Sequence, residues 1–384
     1  MAAHIEAPGS TNAWYAYPGA DNDVVLSTRI RLARNLANFP FPQKLRGSDG
    51  QRIQAIIFDA FNHFDTAEQY QSVAIEKLDP LGEKILEERG VLSAEDVFVA
   101  KANHSDDDLS RGIIMRTDGK VSCTVNIIDH VRIAAFTAGL DVDGALALCK
   151  EVDNGMQKSV QFAASYDFGY LTSAVADAGS GMKLSIRVHL PSLAALGRIP
   201  SVINDMQEKG VLFTTCYGAG NSEGVIGGLQ KGVSLGSFYQ LSGTNSVAGT
   251  EFDQTAVVVA AVKQLEELER IARADCEETL PTVIRNEMYR SYTLARFSKF
   301  ITLREAIEII SAVKWGKDMA LLTGIDDAQL HALLFRVQQA HLEFVLKSDS
   351  FNFEKDVADN TDRKVCRLRA LILQEAFADI HVAD

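Results

Sequence analysis

Ser27-Thr28-Arg29-Ile30-Arg31 places a hydroxyl and two guanidinium groups at every second position. In an extended segment Ser27, Arg29 and Arg31 share one face. Arginine grips phosphate oxygens with a planar two-pronged fork and stays charged at neutral pH, so this face suits a polyphosphate. The same spacing also fits a basic strand that is solvated or paired with carboxylates. In a second stretch Lys183, Ser185, Arg187 and His189 alternate with Leu184, Ile186, Val188 and Leu190. That is the alternation of a strand, and it sets two cations and a histidine on one side. Between these stretches lie Asn126-Ile127-Ile128-Asp129-His130-Val131-Arg132, Tyr170-Leu171-Thr172-Ser173 and Gly179-Ser180-Gly181. Thr214-Thr215-Cys216-Tyr217-Gly218-Ala219 then opens a glycine-rich stretch. None of these is a phosphate-binding loop of the Gly-Lys-Ser/Thr type or a GxGxxG turn between strand and helix.

Apolar spacing predicts the elements that would hold these groups. Ile53, Ile56, Ile57, Ala60 and Phe61 repeat at helical intervals, and 75–92 reads as further helix. Residues 23–95 are therefore expected to form a small helical lobe behind a flexible leader, 1–22. Segments 96–102, 112–116 and 121–127 read as an antiparallel meander. Helices are expected at 143–164 and 192–209, and strands at 183–190, 211–216 and 238–241. This makes 96–272 an antiparallel-sheet domain. Asp253 reads as the N-cap of a long helix reaching Arg273. Helices at 304–314, 326–346 and 362–377 make 273–384 a C-terminal helical domain. Strands cluster instead of alternating with helices, so the expected fold class is α+β.

The chain has 384 residues, 47% apolar and 23% charged, which is an ordinary globular composition. A net charge of −13 argues against non-specific nucleic-acid binding and against an anionic membrane surface. Cys123, Cys149, Cys216, Cys276 and Cys366 are scattered without a CxxC pair, which predicts reduced thiols. No histidine pair has zinc-ligand spacing to a cysteine, so no metal site is expected. Met1 to Asp23 lacks the charged and apolar regions of a signal peptide, and no apolar run reaches a membrane span of about 18 residues. A soluble, cytoplasmic protein is expected.

Taken in order, these segments resemble the phosphagen kinases (ATP:guanidino phosphotransferases), and among them the bacterial protein-arginine kinases. The resemblance runs from about Asp23 to about Asp253, with a weaker helical similarity beyond. Ser27-Thr28-Arg29-Ile30-Arg31-Leu32-Ala33-Arg34-Asn35 is similar to the family's nucleotide-binding segment. Asp129-His130-x-Arg132 matches the second half of its Asn-Glu-Glu-Asp-His-x-Arg pattern. Leu171-Thr172-Ser173 and Gly179-x-Gly181 match the frame of the segment that carries a reactive cysteine. The resemblance implies an antiparallel-sheet fold of the glutamine-synthetase-like kind. It also implies in-line transfer of the γ-phosphoryl of ATP, with Mg2+, to a guanidine nitrogen. In the family, arginines clamp the phosphates, while carboxylates and a thiolate hold the guanidinium. It implies a nucleotide site at Ser27, Arg29, Arg31, Arg132, Lys183, Ser185 and Arg187. A homodimer and protein partners, such as an active arginine kinase or a quality-control adaptor, are implied in the same way.

The departures remove the groups that would hold an arginine acceptor and, to a lesser extent, groups that would hold the nucleotide. The family's paired glutamates stand at Ile127 and Ile128, and its cysteine at Ala174. Its Pro-Thr-Asn stands at Val175, Ala176 and Asp177. A later arginine is Thr214, a loop glutamate is Ala219, and the arginine after the glycines is Lys183. Arg187 could stand in for the arginine missing at Thr214, and Glu223 for a carboxylate. His130 and His189 read as structural, and Cys123 and Cys216 as inert. In 362–370 a basic helix is similar to the family's phosphoarginine-binding helix, with Val365 where an aspartate is expected. Losing a general base costs roughly 10²–10⁴-fold and a charge-stabilising donor roughly 10²–10³-fold. The pattern therefore predicts a pseudokinase with a regulatory or interaction role. It leaves open an active phosphotransferase using other residues or another acceptor, and an interaction protein with no nucleotide site.

Overall fold

A computed structural model describes residues 13–102, 110–218, 234–244 and 250–383. The chain begins with β1 (Val25–Arg34), α1 (Gly47–Asn62), β2 (Tyr70–Ala74), α2 (Pro80–Glu88) and α3 (Ala94–Ala102). Next come β3 (Gly112–Arg116), β4 (Val121–Val125), β5 (Val131–Ala138), α4 (Val142–Gln157) and a small hairpin, β6 (Ala164–Ser165) and β7 (Gly169–Tyr170). β8 (Met182–His189), α5 (Pro191–Ala195), α6 (Ile199–Glu208), β9 (Val211–Thr215), β10 (Phe238–Gly243) and α7 (Glu251–Thr279) follow. The C-terminal region holds α8 (Pro281–Phe297), α9 (Leu303–Asp318), β11 (Leu322–Thr323), α10 (Asp327–Arg336), α11 (Gln339–Ser348), α12 (Thr361–Ala376) and β12 (His381–Val382).

Among the described residues, eight strands form one antiparallel sheet in the order β2-β3-β4-β5-β1-β8-β10-β9. The fold is α+β, as the clustered strands predict. One face of the sheet is apolar: Ile30, Leu32, Ile133, Leu184, Ile186 and Leu241 are buried there. Ile53 and Ile57 of α1, Cys149 and Val152 of α4, and Val258 and Val262 of α7 pack in the same core. The period-two alternation of β1 and β8 drives this face inward and turns their polar residues to the other side.

Several expectations are corrected. The stretch 23–95 is not a helical lobe apart, because β1 lies at the centre of the sheet and β2 at its edge. The leader is packed from residue 13 onward. Trp14 stacks on Phe136 at 5.6 Å and Tyr15 on Phe335 at 4.2 Å, and both are buried. Residues 96–102 are helix, not strand, in spite of Val97 and Val99. Ser93 and Asp96 exchange hydrogen bonds that cap the first turn. The expected helix 192–209 is two, α5 and α6, broken at Gly197, whose φ is 68°, and at Pro200. The helix expected at 326–346 is likewise interrupted between α10 and α11.

Asp253 is not the N-cap of α7. Thr250 caps it, and Asp253, three residues on, returns the hydrogen bond to the Thr250 N–H at 2.8 Å. Thr250→Ala should cost about 1 kcal/mol of stability by chemical denaturation. An unchanged midpoint would mean that the cap is not formed.

The C-terminal helices pack onto the sheet domain. Leu26, Leu235 and Phe238 belong to the same buried cluster as Ile307 and Ile310 of α9 and Leu330 and Leu333 of α10. Among the described residues, no helix is long and apolar enough to cross a membrane.

Candidate functional site

The polar face of the sheet brings the sequence-selected cations together. Across β1 and β8, Ser27 pairs with Arg187, Arg29 with Ser185 and Arg31 with Lys183. Across β1 and β5, Arg29 pairs with Phe136, Arg31 with Ala134 and Ala33 with Arg132. Directly paired residues point to the same side, so Ser27, Arg29, Arg31, Arg132, Lys183, Ser185 and Arg187 all share one face. Farther out, Arg187 pairs with Gln240 of β10, and Gln240 with Thr214 of β9. Thr214 thus stands in the same row as Arg187, two strands away, and is exposed.

Like charges on neighbouring strands repel, so this cluster needs anions. Carboxylates supply part of that need. Arg31 Nη2 lies 2.5 Å from Asp177 Oδ2, and Arg132 Nη2 lies 3.4 Å from the same oxygen. Arg132 Nε donates to Asp129 Oδ2 at 2.9 Å, and its Nη1 lies 3.8 Å from Asp96 Oδ1. Arg29 has no carboxylate partner among the described residues; its guanidinium stands 5.2 Å from the Phe136 ring centre. Arg29 Nε, Arg31 Nε and Arg132 Nη1 are buried with no hydrogen-bond partner, as is Asp96 Oδ1. Unpartnered buried donors are costly, and a polyanion would satisfy them. Burial, together with the charges of Arg31, Arg187 and Arg132, lowers the pKa of Arg29 to about 10. Burial and then Arg31 also lower that of Lys183. Both remain cationic at neutral pH.

A buried lattice fixes this cluster from behind. Asp129 Oδ1 accepts from Asn35 Nδ2 at 2.8 Å and from the Ser173 N–H at 2.7 Å. His130 Nδ1 accepts the Leu36 N–H at 2.9 Å, and its Nε2 faces the Pro40 carbonyl at 2.9 Å. His189 Nε2 meets Ser311 Oγ at 2.8 Å, and its ring stacks on Phe238. Burial depresses both histidine pKa values. Both histidines therefore act as structural hydrogen-bonding groups. Arg34, fully buried, forks onto Asp153 at 2.9 and 3.2 Å and donates to the Ser180 carbonyl at 3.0 Å. Gly181 approaches it so closely that a Cβ would lie 2.6 Å from both the Ala33 oxygen and Arg34 Nη1. Its φ of 66° also favours glycine.

The acceptor side has a different character. Ile127 and Ile128 occupy the turn between β4 and β5 and are buried against Leu86, Val91, Leu92 and Ile113. Ala174 offers only a methyl group, in a turn closed by Thr172 Oγ1 on the Ala174 carbonyl. Burial pushes the Cys216 thiol up to about 11 and that of Cys123 well above its ordinary value, so neither presents a thiolate at neutral pH. Ala219 and Glu223 lie outside the described residues.

Further elements close over the polar face. Trp14, with Ala332 and Phe335 of α10, packs on Ala134 and Phe136 of β5. At Gly90, a Cβ would come 3.6 Å from Arg187 Nη2. In α12, Val365 is buried, Arg367 pairs with Glu354 at 3.1 Å, and Arg369 donates to the Val337 and Ile301 carbonyls. Sequence reasoning missed Asp96, Gly90 and the bridging position of Asp177. The Ser93-x-x-Asp96 cap would have placed α3. The other two depend on contacts between distant segments.

Residues 52–272 match the family model described as ATP:guanido phosphotransferase, C-terminal catalytic domain, and residues 281–382 match the protein-arginine kinase McsB C-terminal domain. The chain is 28% identical over 340 residues to a protein-arginine kinase of Syntrophomonas wolfei, covering 88% of this chain and 89% of that one. It is 24% identical over 372 residues to that of Pelotomaculum thermopropionicum, covering 96% of each. Among solved structures, the substrate-free duplicated taurocyamine kinase of Schistosoma mansoni superposes with a TM-score of 0.56 at 17% identity. That match covers 77% of this chain and 42% of the taurocyamine kinase. Lombricine kinase gives 0.54 at 17% identity, covering 68% and 71%. The fold is that of the phosphagen kinases, and the chain belongs to the ATP:guanido phosphotransferase family, with similarity to protein-arginine kinases over most of its length.

Proposed function

We propose that the chain is a nucleotide-binding pseudokinase that transfers little or no phosphoryl group to guanidino acceptors and acts as a regulatory or interaction protein. The observation that carries this reading is a contrast at the start of β5, between the strand and the turn that leads into it. Near its start, Arg132 joins Arg29, Arg31 and Lys183 on one face, with buried donors that lack partners. The turn leading into it presents Ile127 and Ile128, sealed in an apolar cluster, where a carboxylate would have to hold and deprotonate a guanidinium.

In this reading Arg29, Arg31 and Arg132 take phosphate oxygens, and Lys183 adds a point charge. Ser27 and Ser185 supply hydroxyls, and Arg187 takes the place of the arginine missing at Thr214. Among the described residues, no group of three or more His, Cys, Asp or Glu could hold a metal ion. In this reading Mg2+ enters as a companion of the ATP phosphates. A cytoplasmic location, a homodimer, and an active arginine kinase or quality-control adaptor as partner belong to the same proposal.

Calorimetry with MgATP tests it. The wild-type chain should bind, and Arg29→Ala should weaken binding tenfold or more, since hydrogen bonds to charged groups contribute about 1.5–3 kcal/mol. Radiolabelled γ-phosphate should not reach free arginine or an arginine-rich protein. Absence of nucleotide binding would favour an interaction protein without a nucleotide site.

One observation favours a second reading, an active enzyme using other residues. Asp96 Oδ1 is a buried carboxylate oxygen with no hydrogen-bond partner, 3.8 Å from Arg132 Nη1. Rapid transfer that Asp96→Asn abolishes would establish that reading in place of the first.

A further inference from the structure

We propose that Asp177 is an internal occupant of the phosphate site, and that an incoming polyphosphate must displace its carboxylate from Arg31 and Arg132. This rests on the nucleotide-binding reading above and deepens it.

One oxygen of Asp177 serves two guanidinium groups at once, at 2.5 Å from Arg31 and 3.4 Å from Arg132. Those arginines lie on adjacent strands and face the same side, which is the geometry for holding a bridging phosphate oxygen. A carboxylate there imitates part of such a ligand. It is an incomplete substitute, because Arg31 Nε and Arg132 Nη1 still have no hydrogen-bond partner with it in place. Arg29 and Lys183 also have no ion-pair partner among the described residues. A diphosphate brings more acceptor oxygens and more charge than a single carboxylate.

The carboxylate is also placed so that it can leave. Asp177 ends a single 3-10 turn, Val175–Asp177, which lies outside the sheet. Val175 is 82% exposed. The turn is followed by Gly179, with a φ of 100°, and Gly181. By contrast, Asp129 is buried and held by Asn35, Ser173 and Arg132, so it stays as the permanent counter-charge. Of the two carboxylates closest to Arg132, Asp129 is built into the lattice and Asp177 stands on a surface turn. The exposed turn would carry Asp177 away when ligand arrives, so binding at the cradle becomes a movement of residues 174–178.

The test uses the full chain and its Asp177→Asn variant, with inorganic pyrophosphate and MgADP as titrants in calorimetry. Asparagine keeps the size and removes the charge, so both ligands should bind tenfold or more tightly. In the wild-type chain, saturating pyrophosphate should speed amide hydrogen exchange in 174–178 while slowing it in β1. If the wild-type chain binds and Arg29→Ala weakens it, yet Asp177→Asn binds no more tightly, the displacement is wrong and the nucleotide site stands. If neither the wild-type chain nor Asp177→Asn binds either ligand, both fall together. Should Asp177→Asn fail to fold, as judged by its thermal melt, exchange in the wild-type chain decides. Unaltered exchange in 174–178 with ligand bound would overturn the displacement.

Discussion

Ile127→Glu and Ile128→Glu should each unfold the protein more readily, and neither should bring phosphoryl transfer with it. Both side chains are buried with Leu86, Val91, Leu92 and Ile113. Each substitution gives up the burial of an isoleucine, about 1.5–3 kcal/mol, and forces a carboxylate into apolar surroundings. Together these amount to about 4–5 kcal/mol per site, or a fall in melting temperature on the order of 10 °C. Thermal denaturation, followed by a γ-phosphate transfer assay on arginine, measures both parts. A doubly substituted chain that melts like the wild type and phosphorylates arginine would mean that the acceptor site is merely unfurnished. In the structure Ile127 and Ile128 are instead covered by Val91 and Leu92 of the connection between α2 and α3.

Arg34→Met should be almost as damaging by a different route. The Arg34 guanidinium makes a bidentate pair with Asp153 of α4, donates to the Ala33 and Ser180 carbonyls, and stacks 3.6 Å over the Tyr170 ring. Methionine roughly keeps the volume and leaves Asp153 as a buried charge without its main partner, which typically costs about 3–5 kcal/mol. The companion Asp153→Asn should also lose stability. The double variant should lose less than the sum, because the stranded charge disappears. Additive losses in a denaturation cycle would contradict this account. A nucleotide affinity that fell as sharply as the stability would place Arg34 in the ligand site as well.

The parts of this fold that could be read in advance are those in which a local period carries the information. Alternation at 183–190 gives both the strand and the side to which Lys183 and Arg187 point. The helices expected at 304–314 and 362–377, observed as α9 and α12, follow from helical patterning in the same way. Segment 96–102 reads as a strand because its β-branched residues outweigh a cap that begins outside it, at Ser93. The stretch 23–95 reads as a helical lobe because helices outnumber strands in it, although β1 gains most of its burial from partners elsewhere in the chain.

The site divides along the same line. That the cations share a face could be inferred from spacing within β1 and within β8. Their counter-charges could not. Arg31 and Asp177 are 146 residues apart, and Arg132 and Asp177 are 45 apart. In the sequence Asp177 stands out only as a departure from a family pattern, and nothing local indicates that its carboxylate bridges two strands.

β1 also serves two masters. Leu26 sits in the core built by α9 and α10, and the next residue, Ser27, begins the row that continues through Arg29 and Arg31. The strand is a shared beam between two rooms. A chain cut near Thr279 would leave Leu26, Leu235 and Phe238 without a roof and would loosen the beam that carries the arginines. The two matched segments should therefore be inherited, expressed and inactivated as a unit, and an agent that pries α9 and α10 away from the sheet would disarm the distant cradle without touching it.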